Sequence, residues 1–415
     1  MGIIYNIEEA VQNSAFNVLQ EPIKMILDRE TERFEKESII PKVFNMKTSD
    51  RYLEEYRSTT AMDGFQPTED LEPAHISDFE ESYGKQYVFQ IWTNAFVVSK
   101  QVIEDNQLLD IEPRAVGFIK SYGRTRELYA VQIIGAGLGQ GRLDADEKAA
   151  LAKKFRITAK SGLGMDTTDG TVDGAKQQYF HNAHKPVGYN ANGERNFTQS
   201  NKFYANLAFD GSDPELEEKV LDVLGQVESI MKKYKDDKGN ILAVNPTKIL
   251  VGEDFRLMDV LERGLKSKYG SRMGANGVNL EYGKYEIISS PYLSAVKGFE
   301  DADHAIVLID PARNREGMGL TWFDRVPLQI DSYIDKHTKA NFWDGRARFG
   351  AGFGDFRAMA YINLGGQDST NATEITPLAT SVKSVKVVNT AAAPVNVYEV
   401  ATPTTPTTPT TTPEG

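Results

Sequence analysis

The residues whose types and spacing come nearest to chemistry are His181 and His184, an H-x-x-H whose two imidazoles could hold a metal ion. No glutamate stands between them as the zincin pattern needs, and no third ligand follows at a metal-site spacing. The surrounding glycines, threonines and asparagines read as loop, so the pair is assigned to a structural turn. The run Gly135-Ala136-Gly137-Leu138-Gly139-Gln140-Gly141 invites a phosphate-cradling reading. Its spacing never satisfies G-x-G-x-x-G, and it follows a helical pattern where a dinucleotide motif needs a strand, so the glycines are expected to end a helix. Neither Gly84-Lys85 nor Gly283-Lys284 completes a P-loop, and Asp166, Asp169 and Asp173 lack the closing glutamate of a calcium loop. Arg348-Phe349-Gly350-Ala351-Gly352-Phe353 has the look of an RNA-recognition strand, but with no partner motif it reads as a glycine-bent strand. No triad or poised carboxylate pair assembles, so no catalytic, cofactor-binding or metal-binding residue is assigned.

The bulk composition points the same way. The chain has 415 residues, 40% of them hydrophobic, enough for two or three packed modules. It has no cysteine, which excludes disulfides and thiolate chemistry and suits a reducing compartment. A formal net charge of -12 repels nucleic acid and anionic membrane, so any contact with DNA should be weak and without sequence preference. The first residues, Met1 to Asn6, lack the features of a signal peptide or a myristoylation signal, and no apolar run is long enough to span a membrane; synthesis in a cytoplasm is expected.

The elements that would position these residues follow from local pattern. Asn6 with Glu9 predicts a helix start, running to about Ser38 with a break or kink at Pro22. From Arg51 to Asn94 lies a long hairpin with an acidic, turn-rich centre containing Pro67 and Pro73. Its return limb alternates Tyr87, Phe89 and Ile91 with Val88, Gln90 and Trp92, apolar on both faces. Phe89 and Trp92 are therefore expected on opposite faces, one packed within the subunit and one against a neighbour, with Trp92 the inward residue. Pro113 predicts the first turn of a long helix to about Ile134, striped by Val116, Ile119, Gly123, Leu128, Ala130 and Val131. A second helix after Asp144 and a turn-rich loop from Ala159 to Asn196 follow. Helices from Asp213 to Tyr234 and from Asp254 to Lys266 alternate with strands Lys248 to Val251, Tyr285 to Ser289 and Ala305 to Ile309, a compact α/β module. Strands Leu320 to Phe323, Phe342 to Phe349 and Phe356 to Ile362 are expected to rejoin the module of the long helix. A pair Val382 to Val388 and Val395 to Val400 precedes a Thr/Pro tract, Ala401 to Pro413, which can bury no core and should be extended.

This order of parts resembles the Hong Kong 97-like fold of tailed-phage major capsid proteins, in wording closest to the branch related to the Mu-like major head subunit. The likeness is carried by Phe96 to Asn106, by Tyr179-Phe180-His181-Asn182-Ala183-His184, by Gly239 to Val251, and by Arg346-Ala347-Arg348-Phe349-Gly350 with Asp355-Phe356-Arg357. The resemblance implies an α+β subunit with an N-terminal arm (1–50), an extended hairpin loop (51–94) laid over the adjacent subunit, and a peripheral domain with a long spine helix (95–204). An axial domain (205–318), return strands of the peripheral domain (319–365), a C-terminal extension (366–400) and the Thr/Pro-rich tail (401–415) complete it. It further implies a non-enzymatic virion protein forming pentamers and hexamers around double-stranded DNA, needing no cofactor, with scaffolding, portal and decoration proteins as partners and no membrane. The absence of lysine between Tyr56 and Tyr83 counts against cross-linking through the hairpin tip, although Lys85 stands near its base. Two rival readings differ in class: a metal-dependent hydrolase using His181 and His184, and a surface-layer or adhesin subunit suggested by the tail.

Overall fold

A computed structural model of the chain describes residues 4–7, 14–59, 62, 64–70, 73–76, 81–104, 108–137, 179–180, 207–210, 217–235, 240–268, 279, 281–295, 304–317, 319–335, 337–364, 372–375 and 385–388. Along the chain come β1 (Ile4–Ile7), α1 (Ser14–Glu37), α2 (Ile40–Val43), β2 (Asn45–Thr48), β3 (Leu53–Thr59), β4 (Glu81–Val88) and β5 (Gln90–Val98). Then follow α3 (Lys100–Glu104), α4 (Leu108–Ala136), β6 (Leu207–Asp210), α5 (Glu217–Met231), β7 (Lys248–Val251), α6 (Phe255–Lys266), β8 (Glu286–Ser289) and β9 (Ala305–Ile309). The last are α7 (Pro311–Glu316), β10 (Leu320–Ile334), β11 (Asn341–Phe353), β12 (Met359–Leu364), β13 (Ala372–Ile375) and β14 (Val385–Val388).

Helix α4 is the axis on which the rest is hung. Its 29 residues span about 43 Å at 1.5 Å per residue. From Tyr129 to Ala136 every residue is buried, Gln132 among otherwise apolar or glycine positions, so the last two turns pack on all sides. Pro113 lies inside the helix instead of in its first turn because the helix begins at Leu108. At the other end Gly137 closes the helix, donating its N–H to the Ile133 and Ile134 carbonyls, as the glycine run led one to expect.

One side of α4 receives the N-terminal helix. The sequence predicts helix from Asn6 with a break or kink at Pro22; residues 4–7 instead form β1, and α1 runs through Pro22 without a break. The reason lies in partners distant in sequence. Strand β2 pairs with β10 only from Thr321 to Asp324, and β1 continues that edge in parallel from Gln329 to Ser332, supplying partners to backbone groups that would otherwise lack them. Ile23 and Leu27, one turn apart on α1, are fully buried, which offsets the hydrogen bond that proline removes. Contact is close because Gly123 of α4 has no side chain: a Cβ there would lie 2.4 Å from the Phe34 ring.

Two sheets pack around α4. The first is five-stranded, β1-β10-β11-β5 with β2 also on β10, and its central pair β10–β11 is long and antiparallel. Trp322, Phe349, Trp92 and Trp343 point from it toward α4. The second is seven-stranded in the order β13-β14-β6-β12-β9-β7-β8. Strands β9 and β12 are buried at every residue, so both faces of this sheet are covered. Ala305, Val307, Ile309, Met359 and Tyr361 join the core around α4. Their neighbours Ile306, Leu308, Ala360 and Ile362 join a second core under α5 and α6. Asp254, read from the sequence as the first helical residue, caps α6 instead, accepting from the Arg256 and Leu257 N–H groups.

The return strands divide differently from expectation. Strands β10 and β11 do rejoin the sheet of the long helix, but β12 crosses into the seven-stranded sheet between β6 and β9. A strand whose six residues are all buried, five of them apolar, can be satisfied only in a doubly covered sheet. Near the C-terminus the pairing is β13 with β14; Val395 to Val400, the helix after Asp144 and the Thr/Pro tract lie outside the described residues.

Candidate functional site

The feature that the two cores do not absorb is the ribbon of β3 and β4, paired antiparallel from Leu53↔Val88 out to Thr59↔Glu81. Its foot is fastened by aromatic rings. Tyr87 lies 5.0 Å from Phe323 and 5.9 Å from Tyr56, and Phe89 lies 5.6 Å from Phe323. The Tyr87 hydroxyl donates to the Phe353 carbonyl at 3.1 Å, and burial pushes that phenol well above its ordinary pKa, so it stays a donor. Ser49 donates to Glu54 at 2.6 Å and Lys47 sits 4.9 Å over the Tyr56 ring, which completes the anchorage.

Every residue whose exposure is described between 62 and 76 is exposed, including Phe65 at 109% and Ile76 at 85%. The described tip thus sets two large apolar side chains, Phe65 and Ile76, beside the carboxylates of Glu69 and Asp70 in water.

Phe89 and Trp92 occupy opposite faces of the five-stranded sheet. Trp92 stacks on Phe349 at 5.1 Å and packs edge-on against Tyr129 of α4. Phe89, the residue expected to face a neighbour, is only 4% exposed within a single chain. Within the chain, β4 ends at Val88 and β5 begins at Gln90, and the Phe89 ring between them packs with Tyr87 and Phe323 at the ribbon's own foot. The apolar side chains that β5 leaves exposed are Ile91 and Val97.

Two buried polar clusters hold the scaffold beneath. Arg126 of α4 bonds to Asp324 at 3.2 Å and to the Tyr122 hydroxyl at 3.1 Å, while the Trp322 indole donates to Asp324 at 3.0 Å. Burial alone would lower the pKa of Arg126, but Tyr122 and Asp324 outweigh it and raise it. Asp355 accepts from Arg357 and from Arg313, each at 2.8 Å; burial would raise its pKa, yet Arg357 and then Arg313 bring it down to about 2. Neither cluster contains an unoccupied nucleophile or a poised acid–base pair. Both tie distant segments together, Arg126 to Asp324 and Arg313 to Asp355, and local sequence carried no signal of either.

His181 and His184 lie outside the described residues. Their neighbours Tyr179 and Phe180 do not: Tyr179 stacks on Phe353 at 4.4 Å and donates to the Asp355 carbonyl, and Phe180 packs 5.4 Å from Tyr361. That passage is thus held through its aromatic pair. Among the described residues no group of three His, Asp or Glu could hold a metal ion, and no helix is long and apolar enough to cross a membrane.

No family model matches the sequence, and no curated protein matches it. Among solved structures the chain is similar to the capsid of Myoviridae Phage XM1, at 10% identity over 78% of this chain and 91% of that chain, with a TM-score of 0.43. It is similar also to the capsid of the Cyanophage P-SCSP1u, at 9% identity over 79% and 88% and a TM-score of 0.41. A third likeness is to the virus-like particle from Pyrococcus furiosus, at 9% identity over 83% and 98% and a TM-score of 0.37.

Proposed function

We propose that the chain is a major capsid subunit of a tailed-phage head, a structural protein of the virion that assembles with its own copies into an icosahedral shell. The observation that carries this reading is the β3–β4 ribbon, fastened by Tyr56, Tyr87, Phe89 and Phe323 at its base and bare at its apolar tip. A subunit in isolation leaves that tip in water; a repeated lattice covers it at every copy. Burial returns roughly 25 cal/mol per Å² of apolar surface, so even a small contact gains weight when it recurs around a closed shell.

The finer parts of the reading follow from the same frame. The spine helix α4 with the five-stranded sheet serves as the peripheral domain, and α5, α6 and the seven-stranded sheet as the axial domain that meets its copies in pentamers and hexamers. Scaffolding, portal and decoration proteins are the partners such a shell requires. Packaged DNA is enclosed without being gripped, in keeping with the net charge of -12. Assignment to the Mu-like branch rests on the four sequence passages alone.

Purification of the full chain followed by light scattering and negative-stain microscopy tests the reading. Capsomers or closed shells are expected. A species that stays strictly monomeric at high protein concentration, in both low and high salt, would overturn it.

A further inference from the structure

Arg325, Arg346 and Arg348 cluster beside the ribbon's foot on the five-stranded sheet. On β11 Ala347 and Phe349 belong to the core around α4, so alternation sends Arg346 and Arg348 to the opposite, open face. Arg348 is directly paired with Val326, one residue from Arg325 at the irregularity in β10. The three charges feel one another: burial, then Arg325, and more weakly Arg346, lower the pKa of Arg348.

Like charges gathered in this way ordinarily recruit carboxylates, and this chain has 59 acidic residues to draw on. Among the described residues none forms an ion pair with these three. There Arg325 donates to the Asp50 carbonyl, at 3.4 Å, and Arg348 lies over the ring of Tyr52, 5.4 Å away. Arg325 Nη1 and Arg348 Nε are buried without an acceptor. Tyr52 is 70% exposed and flanks the cluster as an apolar wall. A set of partly desolvated guanidinium groups with donors to spare matches the geometry of a carboxylate receptor.

A complementary segment exists in the same sequence. From Ser58 to Gly84 there are seven acidic residues and no lysine or arginine. In one chain β4 spans 8 residues, about 26 Å at 3.3 Å per residue, between the foot and that segment, whose described acidic residues Glu69 and Asp70 are exposed. We infer that Arg325, Arg346 and Arg348 with Tyr52 form a carboxylate-binding site that receives the acidic ribbon tip of a second copy of this chain. The inference rests on the self-assembly reading above and names the chemistry of one of its contacts.

A charge exchange tests it. The full chain carrying Arg346→Glu and Arg348→Glu should melt like the wild type as free subunits but lose at least tenfold in particle yield. Glu69→Lys with Asp70→Lys should do the same, and all four substitutions in one chain should recover particles. Should the double arginine variant melt lower, Arg346→Glu alone, at an exposed position, replaces it in both arms. Normal assembly of the arginine variant overturns the inference, as does failure of the fourfold variant to recover while both halves fold. Normal assembly with loss of binding to a short DNA duplex would assign the cluster to phosphate and equally overturn it. A wild type that forms no particles removes the assembly reading itself, whereas a wild type and variants that all assemble remove only this contact.

Discussion

The carboxylate of Asp355 sits between two guanidinium groups, and its low pKa ties stability to pH in a defined direction. Its folded value, about 2, lies below the ordinary 3.8, so the folded state binds the proton less readily than the unfolded one. The stabilisation is fully present above about pH 4 and is lost as pH falls toward 2; a shift of this size corresponds to about 2 kcal/mol. Thermal melts of unassembled protein should therefore drop steeply between pH 4 and 2. Asp355→Asn should melt lower at pH 7 and show a shallower fall across that window; an unchanged profile would remove Asp355 from the acid limb. Phe89 and Trp92 make a second prediction at this scale. Both rings have partners within the chain, so Phe89→Ala and Trp92→Ala should each lower the melting temperature of the free subunit, at a cost of roughly 3 kcal/mol. A Phe89→Ala variant that melts normally but fails to assemble would restore the neighbour-facing role that its burial now argues against.

Among the elements, the joint between β4 and β5 decides where the ribbon points. It crosses β11 at Gly350, where an added Cβ would lie 2.9 Å from the Val88 carbonyl oxygen and 3.3 Å from the Phe89 ring. A backbone oxygen cannot swing aside as a side chain does, so the strand itself must move. Gly350→Ala should cost about 1–3 kcal/mol and lower the yield of particles beyond what that loss of stability explains, because the ribbon's seat is displaced. Melting and particle yield measured together check this; an unperturbed variant would show that the close approach has slack. Pairing of β10 with β1, β2 and β11 likewise makes that strand the meeting place of residues hundreds of positions apart.

For the molecule as a whole, the Thr/Pro tract is expected to contribute no packed area, so deletion of Ala401 to Gly415 should leave both melting temperature and particle formation unchanged. Loss of assembly on deletion, seen by light scattering, would give the tract an interface role. What the sequence determined by itself was whatever nearest neighbours decide. The glycine stop at Gly137 and the apolar runs of β7 and β9 were legible, because a helix-ending glycine run and short apolar strand runs act within a few residues. The order of arm, hairpin and long helix was legible for the same reason. What only the tertiary structure decided depends on contacts far apart in the chain. Burial of Ile23 and Leu27 against the core keeps α1 intact through Pro22, and residues 4–7 become a strand because β10 offers an edge more than 300 residues away. Strand β12 changes sheets because only the second sheet covers both its faces, and the Phe89 ring packs with Tyr87 and Phe323 at the ribbon's foot. The arginine cluster was likewise hidden: Arg325 and Arg348 stand 23 positions apart and become neighbours only when β10 and β11 pair. Periodicity assigns a residue to a face; what covers that face is set by the rest of the chain and by the copies around it.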